Sequence, residues 1–368
     1  MKGRKEKMGK ITFPHMGNLN IIAKTFFQEM GIEVVVPPGN SKKTLDLGVK
    51  YSPEFACLPL KINMGNFIES FEKGADTVVM GGGCGPCRFG YYGEVQREIL
   101  KDLGYDFNMI VLEPDIFQGL KSLRKLFGKI NIGKIYRAGK LAWVKLKAVD
   151  NIQNMVLKNR AREKNPGDID RLYQDFLDKI DETMSIDSIV KTENKYRTMI
   201  EDAVGEYKRG MEIKIGIVGE IYVVIEPFTN LEIEKKLGSL GAVVEREITI
   251  RNWVIDFVGF SSERQKIEDA ARPYLKNFVG GHGLDTVGNT VRFARAGYDG
   301  VVQVAPFTCM PEVVAQTILP VVSKKEKISV MSLFLDEHTG DAGFKTRLEA
   351  FIDLIERKKN NKGVLQHG

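Results

Sequence analysis

The sequence has few cysteines and no long apolar segment. Four cysteines occur among 368 residues, too few for a chain of this size to depend on disulfide cross-links. No segment reaches the roughly 18 uninterrupted apolar residues of a membrane-spanning helix, and the basic residues 1–10 are not followed by the apolar stretch of an export signal. These absences predict a cytoplasmic protein outside the membrane, in which the cysteines serve metal binding or redox chemistry.

Nucleotide-binding motifs are also missing. The sequence has no P-loop motif, and the glycines at residues 280–283 do not form the fingerprint of a dinucleotide site. Nothing in the sequence therefore indicates that the chain itself binds ATP.

Acidic residues are slightly fewer than basic residues, and the net charge is +6. Residues 121–164 hold thirteen lysines and arginines against two acids. This segment predicts either an ordinary solvated helix surface or a face for an anionic ligand or an acidic partner. Nucleic acid is not favoured as that partner, since the sequence has no helix-turn-helix, OB-fold or RNP pattern.

Two parts of the sequence alternate short β-branched strands with amphipathic helices. The length of 368 residues favours two domains, and alternation of this kind predicts parallel sheets covered on both faces. We therefore predict an α/β protein with two doubly wound, Rossmann- or flavodoxin-like domains, residues 10–114 and 211–359, and a helical segment at residues 115–210 between them. Strands are predicted at residues 10–13, 32–36, 77–80, 212–218 and 300–304.

The cysteines stand where ligands bind in such sheets, beyond the carboxyl ends of the strands. Cys84 and Cys87 follow the strand at residues 77–80 through three glycines and precede a helix. Cys309 lies in the loop between the strand at residues 300–304 and the next helix, and Cys57 lies in a turn before another helix. We therefore expect the four cysteines to share one face, three from the first domain and one from the second.

Four thiolates on one face predict a metal centre. Thiolates are soft ligands, and backbone N–H groups at a helix start favour their negative charge. The glycines at residues 81–83 and Gly85 let the backbone approach a bulky inorganic core. An iron–sulfur cluster fits this pattern best. Tetrahedral zinc is the alternative, although zinc ribbons usually pair two Cys-x-x-Cys knuckles and this chain has one.

The tetrapeptide Cys-Gly-Pro-Cys at residues 84–87 also allows a thiol–disulfide oxidoreductase. It is the tetrapeptide of thioredoxin active sites, where the first thiol is activated at a helix start and the second resolves the mixed disulfide. Against this, Gly83 stands where thioredoxins have tryptophan, and Cys57 and Cys309 would have no role. A third interpretation is a buried inert cysteine, which suits Cys57 alone.

Five motifs of this sequence are distinctive. They are Tyr51-Ser-Pro-Glu-Phe-Ala-Cys57-Leu-Pro-Leu-Lys61, Gly81-Gly-Gly-Cys84-Gly-Pro-Cys87-Arg-Phe-Gly-Tyr-Tyr92, Gly280-Gly-His-Gly283, Pro306-Phe-Thr-Cys309-Met-Pro-Glu312 and Thr346-Arg-Leu-Glu-Ala-Phe351. Together they resemble the 2-hydroxyacyl-CoA dehydratase D-component and benzoyl-CoA reductase family, most closely its branch of CoA-enzyme-activase-related proteins. The resemblance extends from about residue 10 to about residue 358.

The resemblance implies a two-lobed α/β protein that holds a 4Fe–4S cluster, or a related larger cluster, between its lobes. Cys57, Cys84, Cys87 and Cys309 match the family's cluster-binding cysteines. It also implies an ATPase activase of actin/Hsp70-like fold as electron donor, an acyl-CoA as ligand, and a homodimer or a heterodimer with a related subunit. If the chain is an enzyme, its reaction is an ATP-driven reduction or an (R)-2-hydroxyacyl-CoA dehydration. Otherwise it is a non-enzymatic, cluster-binding partner of an activase.

The number of cysteine ligands decides between these roles. Four thiolates on one 4Fe–4S cluster leave every iron coordinatively closed, which suits an electron carrier. Three leave one iron with an open position, as a catalytic metal requires.

Five other residues are candidates for a role at this site. His15, Glu54 and His282 are candidates for proton transfer, because each stands in a loop or turn near the motifs above. Arg88 directly follows the cysteine pair and could offset the charge of a cluster or bind a phosphate, and Lys61 could act similarly. Each also has an ordinary interpretation, as a loop histidine, a helix cap or an exposed salt-bridge partner.

Overall fold

The computed structural model describes residues 9–83, 86–112, 131–207, 212–257 and 263–366. The chain divides into two compact units, Met1–Leu146 and Lys147–Gly368. Each unit contains one parallel sheet with helices around it, which confirms the predicted α/β class. In the described part of the chain, no helix is both long and apolar enough to cross a membrane.

The first unit is built on a three-stranded parallel sheet in the order β1–β2–β3. Its strands are β1 (Ile11–Thr12), β2 (Thr77–Gly81) and β3 (Asn108–Leu112). Its helices are α1 (Leu19–Glu29), α2 (Lys42–Tyr51), α3 (Leu58–Glu72) and α4 (Tyr92–Asp102), with a 3-10 turn at Arg88–Tyr91 directly before α4. The first turns of α5 (Ile132–Asn159) also belong to this unit.

Of the strand predicted at residues 32–36, the structure has a single parallel bridge between Val34 and Ile11. Pro37 and Pro38 follow directly and cannot donate backbone hydrogen bonds to a sheet. The bridge still places this segment beside β1, on the side away from β2. The sheet therefore has its first segment between the second and the third, as in flavodoxin-like folds.

Alternate residues of β2 pack on opposite faces of the sheet. Val78 and Met80 join Phe67 of α3 in one apolar cluster, whereas Val79 joins Ile11 in another. Burial on both faces is typical of an interior strand in an α/β sheet. It explains why β2 is visible in the sequence as an uninterrupted apolar run.

Helices α2 and α3 approach closely because a glycine of each lies against the backbone of the other. A Cβ built at Gly65 would lie 1.9 Å from the carbonyl oxygen of Thr44, and one at Gly48 would lie 1.8 Å from that of Lys61. No side chain fits at either position. The contact buries α3 from Leu58 to Ser70.

The second unit contains a four-stranded parallel sheet in the order β5–β4–β6–β7. Its strands are β4 (Ile213–Gly219), β5 (Ala242–Arg246), β6 (Gly300–Pro306) and β7 (Ser329–Leu335). After the last turns of α5, its helices are α6 (Asp168–Glu182), α7 (Ile186–Ala203), α8 (Ile221–Ile225), α9 (Ile233–Ser239), α10 (Ile250–Phe257), α11 (Glu263–Ala271), α12 (Gly283–Arg295), α13 (Met310–Glu326) and α14 (Asp341–Gln366).

The core of the second unit lies around the interior strands β4 and β6. Ile215, Ile217 and Val302 are fully buried. Helix α12 packs directly on β4, because a Cβ built at Gly216 would lie 2.4 Å from the ring of Phe293. At the other end of α12, a Cβ built at Gly283 would lie 2.4 Å from the carbonyl oxygen of Pro311, so the helix start lies against the segment that follows Cys309.

The segment predicted as a helical connection, residues 115–210, is largely helical where the structure describes it. Helices α5, α6 and α7 occupy it, with Phe176 and Tyr196 in edge-to-face contact at 5.5 Å between ring centroids. Residues 113–130 and 208–211 lie outside the described residues. The boundary between the two compact units falls within α5, and the three-part division of the sequence stays a prediction.

Candidate functional site

The two sheets share one strand order, so each has a corresponding point at which the direction of its connections changes. In each unit the first strand lies between the second and third segments along the chain. The connections therefore diverge at the carboxyl edge between β1 and β2, and between β4 and β6, where α/β sheets bind ligands. Cys84 stands three residues after the last residue of β2, and Cys309 stands three residues after the last residue of β6. The two cysteines therefore have the same offset in sequence from their strands, and Cys84 itself lies outside the described residues.

Each cysteine within the described ranges lies directly before a helix. Cys57 precedes α3, Cys87 precedes the 3-10 turn at Arg88–Tyr91, and Cys309 precedes α13. Backbone N–H groups at a helix start lack partners within the helix and carry partial positive charge. Such positions favour a thiolate over a thiol, as a soft metal ligand requires.

Sequence reasoning missed one signal for these positions: a proline stands two residues after three of the four cysteines. Pro59 and Pro311 lie in the first turns of α3 and α13, where the missing N–H would have had no helical partner. The Cys-x-Pro pattern therefore predicts that Cys57 and Cys309 begin helices. Cys84-Gly85-Pro86 follows the same pattern in sequence.

Three side chains of the segment that follows Cys87 contact the segment around Cys57. Arg88 Nη1 donates a hydrogen bond to the Phe55 carbonyl oxygen at 2.9 Å, and Gln96 Nε2 donates to the Leu60 carbonyl oxygen at 3.2 Å. Between them, the Tyr92 hydroxyl contacts the Cys57 sulfur. We call Arg88, Tyr92 and Gln96 the clamp residues. Tyr92 and Gln96 stand four residues apart on one side of α4, and Arg88 begins the 3-10 turn directly before it. Together they fix two cysteine-bearing segments against each other.

Two glycines allow the loop before Cys84 to pack against the 3-10 turn. A Cβ built at Gly83 would lie 2.9 Å from the ring of Phe89, and one at Gly90 would lie 2.9 Å from the Gly83 carbonyl oxygen. The loop after β2 therefore runs beside the backbone that follows Cys87. Cys57 is buried at 9% exposure, whereas Cys87 is half-buried.

His15, a predicted proton-transfer candidate, lies in a ring of polar groups in the first unit. Its backbone N–H donates to Asn66 Oδ1 at 3.1 Å, Asn66 Nδ2 donates to Asn40 Oδ1 at 2.8 Å, and Asn40 Nδ2 lies 3.5 Å from His15 Nδ1. The His15 N–H can only donate, so the Asn66 oxygen faces it and the Asn66 nitrogen faces the oxygen of Asn40. The Asn40 nitrogen then faces His15 Nδ1, which is the acceptor in this ring.

The remaining first-unit candidates have different surroundings. Glu54 is exposed in the turn before α3, and Cys57 rather than Glu54 occupies the helix N-cap. Lys61 is only 3% exposed and lies within α3. Arg88 is exposed, and its guanidinium binds the Phe55 carbonyl oxygen. The structure thus gives Arg88 a positioning contact that sequence reasoning did not predict.

In the second unit, a buried carboxyl that sequence reasoning missed stands one helical turn after Cys309. Glu312 is fully buried, and Oε2 accepts hydrogen bonds from Thr286 Oγ1 and Gln303 Nε2, both at 2.9 Å. Burial raises the pKa of Glu312 to about 7, although these two hydrogen bonds oppose the rise. The signal was present in the sequence, since Glu312 ends the motif that contains Cys309.

His282 lies near a second carboxyl, at the carboxyl end of β4. His282 directly precedes α12. The second carboxyl is that of Glu220, which caps α8 by accepting hydrogen bonds from the N–H groups of Tyr222 and Val223 at 3.2 and 3.0 Å. Burial raises the pKa of Glu220, while the Val223 N–H and the charge of His282 oppose that rise. Gly219 permits this turn, because its φ is +142° and a Cβ there would lie 1.8 Å from the Val304 carbonyl oxygen.

Several cations of the basic segment at residues 121–164 have partners within the chain. Lys134 Nζ donates to the Met30 carbonyl oxygen at 2.8 Å, Arg162 Nε to the Gly205 carbonyl oxygen at 3.1 Å, and Arg160 pairs with Asp170 at 2.7 Å. These contacts favour the interpretation of the described part as ordinary helix surface over an anion-binding face.

In the part of the chain that the structure describes, no three His, Cys, Asp or Glu side chains are grouped as metal ligands. Cys84 is outside that part, so the ligand set predicted from the sequence stays a prediction. The same holds for the convergence of Cys309 with the first-unit cysteines.

The fold and the cysteine positions define an α/β protein with two parallel sheets, in which the three described cysteines each stand at a helix start. Residues 15–80 match the family described as "CoA enzyme activase uncharacterised domain (DUF2229)". The match includes His15, Cys57 and most of β2, and it supports the resemblance to CoA-enzyme-activase-related proteins. No curated protein matches the chain.

Proposed function

We propose that this chain is an iron–sulfur redox protein, related to 2-hydroxyacyl-CoA dehydratase and benzoyl-CoA reductase subunits, that accepts low-potential electrons from an ATP-hydrolysing activase. The observation that carries the proposal is the clamp. Arg88, Tyr92 and Gln96 hold the Cys57 segment against the segment that follows Cys87. The family match over residues 15–80 supports a link to an activase system.

The residues present suit a cluster. Cys57 and Cys87 both stand at helix starts, where N–H groups favour thiolates and can donate to cluster sulfur. Gly83 and Gly90 keep the loop beside them free of side chains. We propose Cys57, Cys84, Cys87 and Cys309 as the ligands. The cluster would supply one-electron transfer, and the chain would hold it, shield it and adjust its electron affinity.

The surroundings of the cysteines suit a partner protein. Phe55 and Tyr91, close in sequence to Cys57 and Cys87, are 75% and 71% exposed. Phe307 and Met310, which flank Cys309, are 61% and 43% exposed. Contiguous exposed apolar side chains often mark a protein contact, and each unit has two such side chains close in sequence to its cysteines. An electron-donating activase is the partner that the proposed chemistry requires, and an acyl-CoA is the proposed ligand if the chain is an enzyme.

Anaerobic purification with iron and sulfide analysis and EPR tests this function. We expect a brown protein with about four irons per chain, and loss of iron in the Cys57→Ser, Cys84→Ser and Cys87→Ser variants. The Cys309→Ser variant separates the ligand counts: loss of the cluster supports four ligands, and an intact cluster supports three. A colourless protein with stoichiometric zinc would contradict the proposal. Copurification with an activase without turnover would favour a non-enzymatic partner.

A thiol–disulfide oxidoreductase is the second candidate. It is favoured by one observation: Cys87 is half-buried, whereas Cys57 and Cys309 are buried, and reactive thiols are partly exposed. In an insulin-reduction assay, this function predicts that Cys84→Ser abolishes activity and that Cys309→Ser retains it. Equal activity in both variants would exclude it.

A further inference from the structure

We propose that the Tyr92 hydroxyl donates a hydrogen bond to the Cys57 sulfur and thereby raises the reduction potential of the metal centre. The inference rests on the proposed function and concerns the control of that site. Its basis is the contact between Tyr92 Oη and Cys57 Sγ, made by residues 35 positions apart.

The contact is buried and its geometry is held on both sides. Tyr92 is 5% exposed and Cys57 is 9% exposed. The ring of Tyr92 packs edge to face on Phe89 at 5.4 Å between centroids, and Cys57 is held by the start of α3. Arg88 and Gln96 bind the backbone on either side of Cys57. The hydroxyl and the sulfur therefore stay together without depending on one flexible side chain.

The direction of the effect follows from charge. A phenol donates through O–H, and a metal-bound thiolate accepts. When the metal centre gains an electron, negative charge on its sulfur ligands increases, so a hydrogen bond to sulfur stabilises the reduced state more than the oxidised state. Burial strengthens this preference, because water does not screen the contact. Removal of the hydroxyl should therefore make the reduction potential more negative.

The clamp itself separates this role from a structural one. Arg88 and Gln96 bind carbonyl oxygens of the Cys57 segment, whereas Tyr92 contacts the sulfur. Loss of Gln96 would loosen the segment without removing a hydrogen bond to sulfur. The neighbouring Tyr91 is a matched control, because it is 71% exposed and precedes the same helix.

The test is a redox titration followed by EPR on anaerobically reconstituted wild type and the Tyr92→Phe, Tyr91→Phe and Gln96→Leu variants, each with its iron content measured. We expect the potential of Tyr92→Phe to be more negative, with iron content retained, and the potential of Tyr91→Phe to stay at the wild-type value. Gln96→Leu should shift the potential by less than Tyr92→Phe does. A full iron content with an unchanged potential in Tyr92→Phe overturns the inference. An equal shift in Gln96→Leu also overturns it, because it assigns the effect to segment position.

A second variant covers the case in which Tyr92→Phe loses iron. Incorporation of 3-fluorotyrosine at position 92 keeps the shape of the side chain and makes the phenol a stronger donor. We expect a more positive potential, and an unchanged or more negative one rejects the proposal. Absence of iron from the wild type is a different outcome, since it rejects the proposed function and the inference with it.

Discussion

Arg88 donates a hydrogen bond from Nη1 to the carbonyl oxygen of Phe55 at 2.9 Å, across 33 positions of sequence. The contact joins the residue after Cys87 to the turn that leads into Cys57. The sequence left Arg88 as either a group that offsets ligand charge or an exposed salt-bridge partner, whereas in the structure it acts on the backbone of a neighbouring segment. Arg88 therefore holds one cysteine-bearing loop in position for the other.

Removal of this contact should loosen the turn before α3. In Arg88→Ala, we expect amide hydrogen exchange in a peptide that contains Phe55 and Cys57 to be about five times faster, since one such hydrogen bond contributes about 1 kcal/mol. Arg97→Ala is the control, because Arg97 pairs with exposed Glu94 on the same helix. Equal exchange in wild type and Arg88→Ala would contradict the positioning role.

A methyl group at the contact between α2 and α3 should destabilise the first unit. In Gly65→Ala the new Cβ would lie 1.9 Å from the Thr44 carbonyl oxygen, so the helices must separate, and we expect a loss of about 3 kcal/mol in the free energy of unfolding. Gly139→Ala is the matched change, because Gly139 is also helical and has nothing within 4 Å of a built Cβ. It should increase stability by about 0.5–1 kcal/mol. Denaturant unfolding of the two variants checks both values, and similar losses would refute the close contact.

The buried carboxyl of Glu312 should make stability depend on pH. Its pKa rises from 4.5 to about 7 on folding, so between these values the folded state binds a proton that the unfolded state has lost. The stabilising contribution is complete below about pH 4.5 and disappears as the pH rises through about 7. We expect Glu312→Gln to remove a stability difference of about 3 kcal/mol between these limits. The amide introduced by this substitution can still accept from Gln303 and donate to Thr286.

Urea unfolding from about pH 5 to 8 measures this effect. Glu98→Gln is the control, since it removes an exposed carboxylate that pairs with Lys101, and its profile should follow that of the wild type. A wild-type profile that Glu312→Gln leaves unchanged would show that Glu312 keeps its charge in the folded protein.

Two asparagines on one face of α3 should respond differently to the same substitution. Asn66 Oδ1 accepts from the His15 N–H, and Asn66 Nδ2 donates to Asn40. Asn66→Leu removes both of these buried hydrogen bonds, so we expect a loss of about 2 kcal/mol in the free energy of unfolding. Asn63 is also buried, but its Oδ1 has no hydrogen-bond partner among the residues that the structure describes. Asn63→Leu should therefore change stability by less than about 1 kcal/mol, and a thermal unfolding comparison decides the point.

The strands that the sequence revealed are those buried on both faces. The run predicted at residues 77–80 is β2 (Thr77–Gly81), and the run predicted at 300–304 is β6 (Gly300–Pro306). Such strands are uninterrupted apolar runs bounded by turn residues, so local sequence suffices to find them. The segment predicted as a strand at residues 32–36 pairs only through the Val34 bridge in the described part of the chain, and Pro37 and Pro38 directly after it cannot extend the ladder.

Helix α12 (Gly283–Arg295) was not predicted, and the reason is tertiary. Its buried side includes Asp285, Thr286 and Asn289, which obscure the apolar period that marks an amphipathic helix. These polar groups are buried because other segments supply partners: Arg264 pairs with Asp285 at 2.6 Å, and Glu312 accepts from Thr286. Partners of this kind cannot be read from the local pattern.

The amino-acid order alone determined the alternation of strands and helices and the offset of Cys84 and Cys309 from their strands, because both depend on short-range pattern and turn chemistry. Only the tertiary structure decided which side chains meet: Tyr92 with Cys57, and Glu312 with Gln303. Such pairs arise from the order of strands in a sheet and the faces of helices packed on it. Each pair is buried by side chains from several segments, and its hydrogen bond is strengthened by that burial. The pair therefore forms only in the folded chain.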